Sequence, residues 1–358
     1  VSNKCFTFVA LNKRNMKYYI LISTIIFLLN GCSQSSSQLT YIKESKIGTQ
    51  LNAITHKIPP VLLSPFSLCV TNDKLVVLES KSDTLFKVFN VNNFQHIYNA
   101  GTRGGGPNEF LTIAPHYFLP TDKGFKVLFT ETNDINEYAV TDSEITLEKT
   151  NNLKIERKGL NGLSYLNNEK YIMTSDFNSD HEYEILNNAS GEISSMGKYP
   201  EDSQTADKKG IERYTSYLKN GVAHPTGAYF ASFYLNFKRM KIYDANGNMK
   251  KDVILKIEPY NSNISDEIKE SMVYYYTSPA ADDKYIYVLC ANKNRNDYFK
   301  KMPELQIWDW EGNLISRHQC DKNISMITLD KKRNKIYAVD YYIEDEIYEY
   351  DLKFIHNN

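Results

Sequence analysis

The chain predicts an all-β fold: a six-bladed β-propeller of four-stranded antiparallel blades. Three observations carry this reading. Aromatic residues are abundant, with 27 Tyr, 17 Phe and 2 Trp in 358 residues, a composition that suits pleated, half-buried strands better than helices. One layout recurs six times: an apolar strand, a hairpin tip bearing Asp or Asn, and a second strand that ends at a polar turn. Successive first strands start about 50, 46, 57, 57 and 51 residues apart, a period typical of propeller blades. A two-sheet sandwich has no reason to repeat at that length.

The units follow in chain order. Residues 74–78 lead to a tip at Ser82-Asp83 and return along 85–89; residues 125–129 lead to Asn133-Asp134 and return along 135–140. Residues 171–173 turn at Ser179-Asp180 into 183–186. Residues 228–234 return along 240–243 into Asp244-Ala245-Asn246-Gly247-Asn248, and 285–289 return along 305–308 into Asp309-Trp310-Glu311-Gly312-Asn313. Residues 336–339 turn at Glu344-Asp345 into 347–350. The Asn-Gly and Glu-Gly pairs supply the positive φ that tight turns require. Each unit has a further apolar segment before and after, which makes four strands per blade. The sixth unit runs out of chain after three strands, while residues 39–58 are left over before the first. The N-terminal segment is therefore expected to complete the last blade and remove its open edge.

The first 31 residues read as an export signal and are set aside from the fold. Lys13, Arg14 and Lys17 form a positive region, residues 18–29 an apolar run, and Met16 is the expected start. That run is shorter than the roughly 20 residues that span a bilayer. Leu29-Asn30-Gly31-Cys32 resembles a bacterial lipobox, so Cys32 is expected to carry the acyl chains, with residues 32–38 as a Ser-rich tether and 39–358 as the propeller. Several acyl chains anchor durably, at about 0.8 kcal/mol per buried CH₂. No acid closely follows Cys32, which favours an outer-membrane anchor facing the periplasm. Beyond the signal, 38 basic residues stand against 43 acidic ones, a balance that gives no support to a nucleic-acid partner. Cys69, Cys290 and Cys320 permit at most one disulfide, and Cys290, ending an apolar strand, reads as a small buried hydrophobe.

Two stretches depart from pure β structure. Residues 198–222 form a polar insertion, and 264–276 read as a short helix with Ser265 as N-cap and Ile268, Met272 and Tyr275 or Tyr276 on one face. Both connect the outer strand of one blade to the inner strand of the next. Gly101-Thr102-Arg103-Gly104-Gly105-Gly106-Pro107-Asn108-Glu109-Phe110 is a third such connector, so all three share one face of the ring. No Gly-Lys-Ser/Thr follows this run and no helix pattern begins after it, which removes a phosphate cradle. Its glycines read as geometry, with Phe110 packing beneath.

Nothing in the chain specifies catalysis. There is no G-x-S-x-G elbow, the seven His lack metal-ligand spacing, and the Asp-bearing tips suit backbone hydrogen bonding better than calcium. No cofactor is indicated. The ligand-binding candidates are Arg103, Asn108 and Glu109 in the glycine run, His116 and His224 ahead of strands that could reach the channel, and Tyr274 and Tyr275. Most tyrosines alternate along strands and read as packing between blades; the run 274–276 and the pair Tyr341-Tyr342 are the exceptions.

The glycine run resembles the G-x-x-G-x-GPGEF loop of NHL-type propellers and of six-bladed, TolB-like propeller lipoproteins of Bacteroidota. Residues 283–289, after the short helix, are similar to a second recurring segment of the latter. Asn108 replaces the usual second Gly and the loop occurs once, which favours the lipoprotein group. The resemblance implies an envelope protein that binds a ligand, with no catalytic residues to carry over. The leading expectation is a monomeric, non-enzymatic module whose top face engages a glycan, peptide or protein. The alternative is a metal-dependent hydrolase, lactonase or lyase acting at the channel mouth.

Overall fold

The computed structural model describes residues 39–357, apart from 60, 107–108, 161, 202–206, 258–259 and 298–299. The export signal, Cys32 with its tether, and Asn108 lie outside the described residues. Among the described residues, six blade sheets arise where the repeats predict them; each is an antiparallel blade, and those of blades one and four carry a fifth strand paired in parallel, Glu109–Phe110 and Leu39–Ile42. Blade one begins with inner strand Pro65–Thr71 and ends with outer strand His96–Arg103; blade two spans Ile113–Pro120 to Ile145–Asn152. Blade three spans Ser164–Tyr165 to Glu192–Lys198, and blade four Lys219–Ala223 to Met249–Leu255. Blade five spans Ala280–Ala281 to Leu314–Gln319, and blade six starts at Met326–Asp330.

The middle strands explain why the sequence shows apolar runs rather than clean alternation. Both faces of a blade are covered by neighbours, so both sets of side chains are buried. In Lys74–Glu79, Val76 and Leu78 pack toward blade two while Leu75 and Val77 pack toward blade six. In Tyr285–Cys290, Ile286, Val288 and Cys290 face blade four, whereas Tyr287 and Leu289 face blade six. Every seam between blades holds its own apolar cluster. Cys69, Cys290 and Cys320 are free thiols within these seams, and burial raises their pKa, for Cys320 to about 12.

The two Asp-x-x-Gly-Asn turns have the same construction. Asp244 Oδ1 accepts from the Asn246 and Asn248 amides, each at 2.9 Å, and Asp309 Oδ1 accepts from Glu311 and Asn313 at 3.0 and 2.8 Å. Gly247 and Gly312 take φ of 81° and 82°, where a side chain is disfavoured. Each turn is followed by an outer strand, and the ladder slips beside it at Ile242/Tyr243 and Ile307/Trp308.

The N-terminal segment closes the ring and does more besides. Ile54–Lys57 pairs antiparallel with Glu346–Asp351 as the fourth strand of blade six, as expected from the strand count. Leu39–Ile42, however, pairs parallel with the outer strand of blade four. Between them, Leu51 bridges Cys320 beside blade five, Gly48 N donates to Arg317 O, and Arg317 Nη1 donates to Ser45 O at 3.0 Å. Residues 39–57 thus form a belt over the outer edges of three blades, satisfying backbone groups that an open edge would expose.

Both departures from β structure are shorter than the sequence suggests. The helix near 264 spans only Ile264–Lys269, and its N-cap is Asn263, whose side chain accepts from Asp266 N, rather than Ser265. Ser271 takes a φ of 54°, and Met272–Val273 then pairs with Lys293–Asn294, so Tyr275 and Tyr276 never join a helical face. In the insertion, Gly210–Ser216 is helical and Lys219–Ala223 is already the inner strand of blade four. No helix among the described residues is long and apolar enough to cross a membrane.

Burial of phenols sets an alkaline limit. Desolvation raises the pKa of Tyr117, Tyr183, Tyr234, Tyr243 and Tyr275 well above the ordinary value of 10.0. A group whose folded pKa is raised contributes stability that is complete below its unfolded pKa and is lost as pH rises toward the folded one. Stability is therefore expected to fall above about pH 10. Ultraviolet difference absorbance is expected to show these phenolates appearing together with unfolding, not in a separate earlier step.

Candidate functional site

In an antiparallel blade, the connectors from outer to inner strands and the tips between the second and third strands emerge on the same face. That face carries the glycine run, helix Gly210–Ser216, residues 256–279 and the Tyr341-Tyr342 tip. Two cavities of about 330 and 340 Å³ open there around the channel axis and share His116, Tyr276 and Ser278. One is lined by Phe66, Ser67, Ser325, Tyr341 and Tyr342, and the other by Ser164, Thr174, Tyr214, Lys219 and Asn220. Residues on or next to the inner strand of every blade thus reach the pair.

His116 is the central element. The blade-two ladder slips between Ile113 and Phe118, and this irregular stretch, with Pro115 in it, leaves His116 free of regular pairing. One edge of its ring is open to the cavities. Its Nδ1 lies 2.8 Å from Ser278 Oγ, which leaves Nε2 without a protein partner among the described residues. Crowding by the channel walls holds the imidazole below its ordinary pKa of 6.5, since desolvation penalises the charged form. The ring is therefore neutral at pH 7, with one nitrogen a donor and the other an acceptor.

Lys219 is the charged side chain in the lining, and it is already engaged. Its Nζ lies 3.5 Å from Glu182 Oε1 and donates to Tyr217 O at 3.3 Å; it also sits over the Tyr183 and Tyr199 rings at 5.0 and 5.1 Å. Glu182 is fully buried and also receives Lys241 Nζ at 2.7 Å, Tyr234 Oη at 2.5 Å and Tyr243 Oη at 3.2 Å. Burial penalises this carboxylate, but the charges of Lys219 and Lys241, with the hydrogen bonds from Lys241 and Tyr234, outweigh that and hold it below 4.5. Desolvation lowers both lysines.

The residues singled out from sequence separate in space. Among them, His116 lines both cavities. Arg103 lies on the same face but lines neither cavity; its Nη2 donates to Ser80 O at 2.6 Å, bracing the first hairpin tip of its own blade. Glu109 Oε2 accepts from Gly106 N at 2.7 Å, and its carboxylate fills the space over Gly104 where a Cβ would stand. Both therefore serve the loop itself, a local need that the sequence did not disclose. Phe110 packs beneath, edge-on to Phe86 at 5.1 Å.

His224 follows an inner strand rather than preceding one, and its turn lies on the opposite face. Nε2 is 3.2 Å from Asp283 O, Nδ1 accepts from Thr226 N at 3.1 Å, and the ring meets Trp310 at 5.0 Å. Tyr274 and Tyr275 are core residues, 2% and 1% exposed, donating to Glu267 Oε2 at 2.8 Å and Gln306 Oε1 at 3.0 Å. Tyr276 is the member of that run that reaches the cavities. The Tyr341-Tyr342 pair, marked in the sequence as hard to assign to packing, stands at the mouth. Ser278, Ser325, Phe66 and Lys219 gave no signal, because nothing local distinguishes a channel-facing residue on an inner strand from any other. Among the described residues no three His, Cys, Asp or Glu converge as a metal cluster.

With the architecture established, comparison with known proteins places the chain. A family model described as TolB-like 6-blade propeller-like matches residues 46–332. The chain belongs to this family. No curated protein matches it. Among solved structures, a member of the DUF4221 family from Bacteroides vulgatus aligns with a TM-score of 0.56 at 10% identity, covering 87% of this chain and 96% of that one. A luciferin-regenerating enzyme aligns with a TM-score of 0.47 at 7% identity, over 84% of this chain and 95% of that one. At such identities the TolB-like propeller shares a fold with the first of these, and neither likeness extends to activity.

Proposed function

We propose that this TolB-like propeller is an envelope lipoprotein, tethered through acylated Cys32 to the outer membrane on its periplasmic side. As a monomer, it holds a ligand at the channel mouth without transforming it. The observation that carries the reading is the pair of cavities joined at His116, Tyr276 and Ser278, reached from every blade on the glycine-loop face. Their size falls in the range of small-molecule sites, roughly 300–1,000 Å³. The lining consists of hydroxyls, aromatic and aliphatic side chains, an amide, one neutral imidazole and Lys219, whose ammonium is already paired with Glu182, groups that hold and orient. The lipobox supports the anchor, and a chain that closes its own ring supports the monomer.

The test is a thermal-shift screen of the full-length protein against glycans, peptides and metabolites, repeated with His116→Trp. A ligand raises the melting temperature with the logarithm of its concentration above Kd. The indole is expected to fill the junction of the cavities and abolish each such shift while leaving the ligand-free melting temperature unchanged. A ligand that stabilises the variant as well as the wild type would place the binding site elsewhere.

A further inference from the structure

The cavity lined by Phe66 and Tyr342 has an unusual rim. Phe66, Tyr341 and Tyr342 line it and remain 38%, 38% and 54% exposed, although large aromatic side chains normally lose most of their surface to packing. Val61, Leu63 and Ile343 lie on the same two segments at 47%, 41% and 37% exposure. The segments are fastened together: Leu62 N donates to Glu344 O, Ile58 N to Asp345 O at 3.0 Å, and Ser64 Oγ to Tyr341 Oη at 3.0 Å. Tyr341 and Tyr342 stand edge to face at 5.2 Å. The aromatic rim is thus braced in place. Contiguous exposed apolar surface on a soluble unit marks a contact site.

Below the rim the lining is mixed. Hydroxyls of Ser67, Thr277, Ser278 and Ser325 and the His116 ring stand beside apolar side chains such as Met326 and Ile327, and no Asp, Glu, Lys or Arg lines the cavity among the described residues. Hydroxyls and a neutral imidazole both donate and accept. This pattern matches a ligand with uncharged, amphoteric groups on its edges and apolar faces. A charged ligand would enter the cavity unpaired, at a desolvation cost that nothing in the lining offsets. Nor does the second cavity recruit anions, because Lys219 Nζ is committed to Glu182 and to Tyr217 O. An extended peptide would need a free strand edge for its backbone, yet two of the inner strands, Ser164–Tyr165 and Ala280–Ala281, are only two residues long.

We propose that the channel mouth binds a neutral oligosaccharide, one sugar ring in each cavity, with the outer ring stacked on Tyr342 and Phe66 and the linkage passing His116 and Ser278. A cavity of about 340 Å³ lies at the small end of the range for small-molecule sites, roughly 300–1,000 Å³, a size suited to a pyranose with its hydroxyls. Two cavities that share His116, Tyr276 and Ser278 suit a ligand of two or more rings. This assignment rests on the channel mouth being the binding site.

The test is equilibrium titration of the full-length protein with maltotriose, cellotriose, mannotriose and triacetylchitotriose, beside trigalacturonate and an alanine pentapeptide. At least one neutral trisaccharide is expected to bind. Tyr342→Ala and Phe66→Ala are each expected to weaken it by about tenfold or more, while Tyr41→Ala, at an exposed tyrosine on the N-terminal belt, leaves it unchanged. Binding of trigalacturonate or the peptide, with no neutral saccharide bound and with both rim variants deficient, overturns the ligand class and leaves the site standing. Neutral saccharide binding that survives Tyr342→Ala, Phe66→Ala and His116→Trp keeps the class and overturns the site. If no neutral trisaccharide binds, the saccharide assignment is wrong.

Discussion

Glu182→Ala is expected to destabilise the propeller by about 3–5 kcal/mol, because removing one partner of a buried ion pair leaves the other charge uncompensated. Here it strands two. Lys219 and Lys241 are 3% and 2% exposed at their side chains and both lie against this carboxylate. Tyr234 and Tyr243 lose their acceptor at the same time. Equilibrium urea unfolding at pH 7 measures the loss. The pH dependence separates charge from packing. In the wild type, Glu182 is held below its ordinary pKa, so its contribution is present above about pH 4.5 and fades as acid protonates it through its folded pKa. In the variant the two ammonium groups have lost that support, and burial lowers their pKa further. The folded state then binds fewer protons than the unfolded state up to about pH 10.5, so stability rises with pH. The deficit is expected to narrow between pH 7 and 9. An unchanged deficit would mean that lost packing, not stranded charge, is responsible.

Deleting residues 39–57 is expected to abolish cooperative unfolding. The belt supplies the fourth strand of blade six through Ile54–Lys57 and covers the outer strand of blade four through Leu39–Ile42. Between them it covers Arg317 and His318; His318 Nδ1 lies 2.9 Å from Thr49 O. Glu349 would also lose His56, whose Nε2 sits 3.1 Å from it. An open ring exposes a backbone edge and the seam between blades six and one, where Ile58 and Leu62 pack with Tyr337 and Ile347. Losses on that scale rival the entire stability of a domain, about 5–15 kcal/mol. Circular dichroism melts of the truncated and full-length proteins decide the matter. Equal melting temperatures would show that the belt only decorates a ring already closed by its seams.

The repeats were legible because each blade is locally self-describing. Apolar middle strands, Asp-bearing tips and Asp-x-x-Gly-Asn turns depend on neighbours within one hairpin, so their signals survive in a linear reading. Closure by Ile54–Lys57 followed from counting strands. The attachment of Leu39–Ile42 to blade four did not, since a parallel pairing across some two hundred residues leaves no local mark. The helix N-cap is Asn263 rather than Ser265; both are good cap residues, so residue type could not choose between them, and in the fold it is Asn263 that is extended and accepts from Asp266 N.

The glycine run shows the same division. Its place as a connector, with Phe110 beneath, was determined by sequence alone, through the strands on either side. The roles of Arg103 and Glu109 were decided only when folding brought Ser80 O and the Gly106 amide within reach. Likewise Tyr274, Tyr275 and Tyr276 are identical in sequence, yet two are buried in the core and the third faces the channel. Blade number, blade boundaries and the connector face follow from short-range patterning, which the chain carries residue by residue. The channel lining is assembled from residues on or next to the inner strands of all six blades, so only closure of the ring could define it.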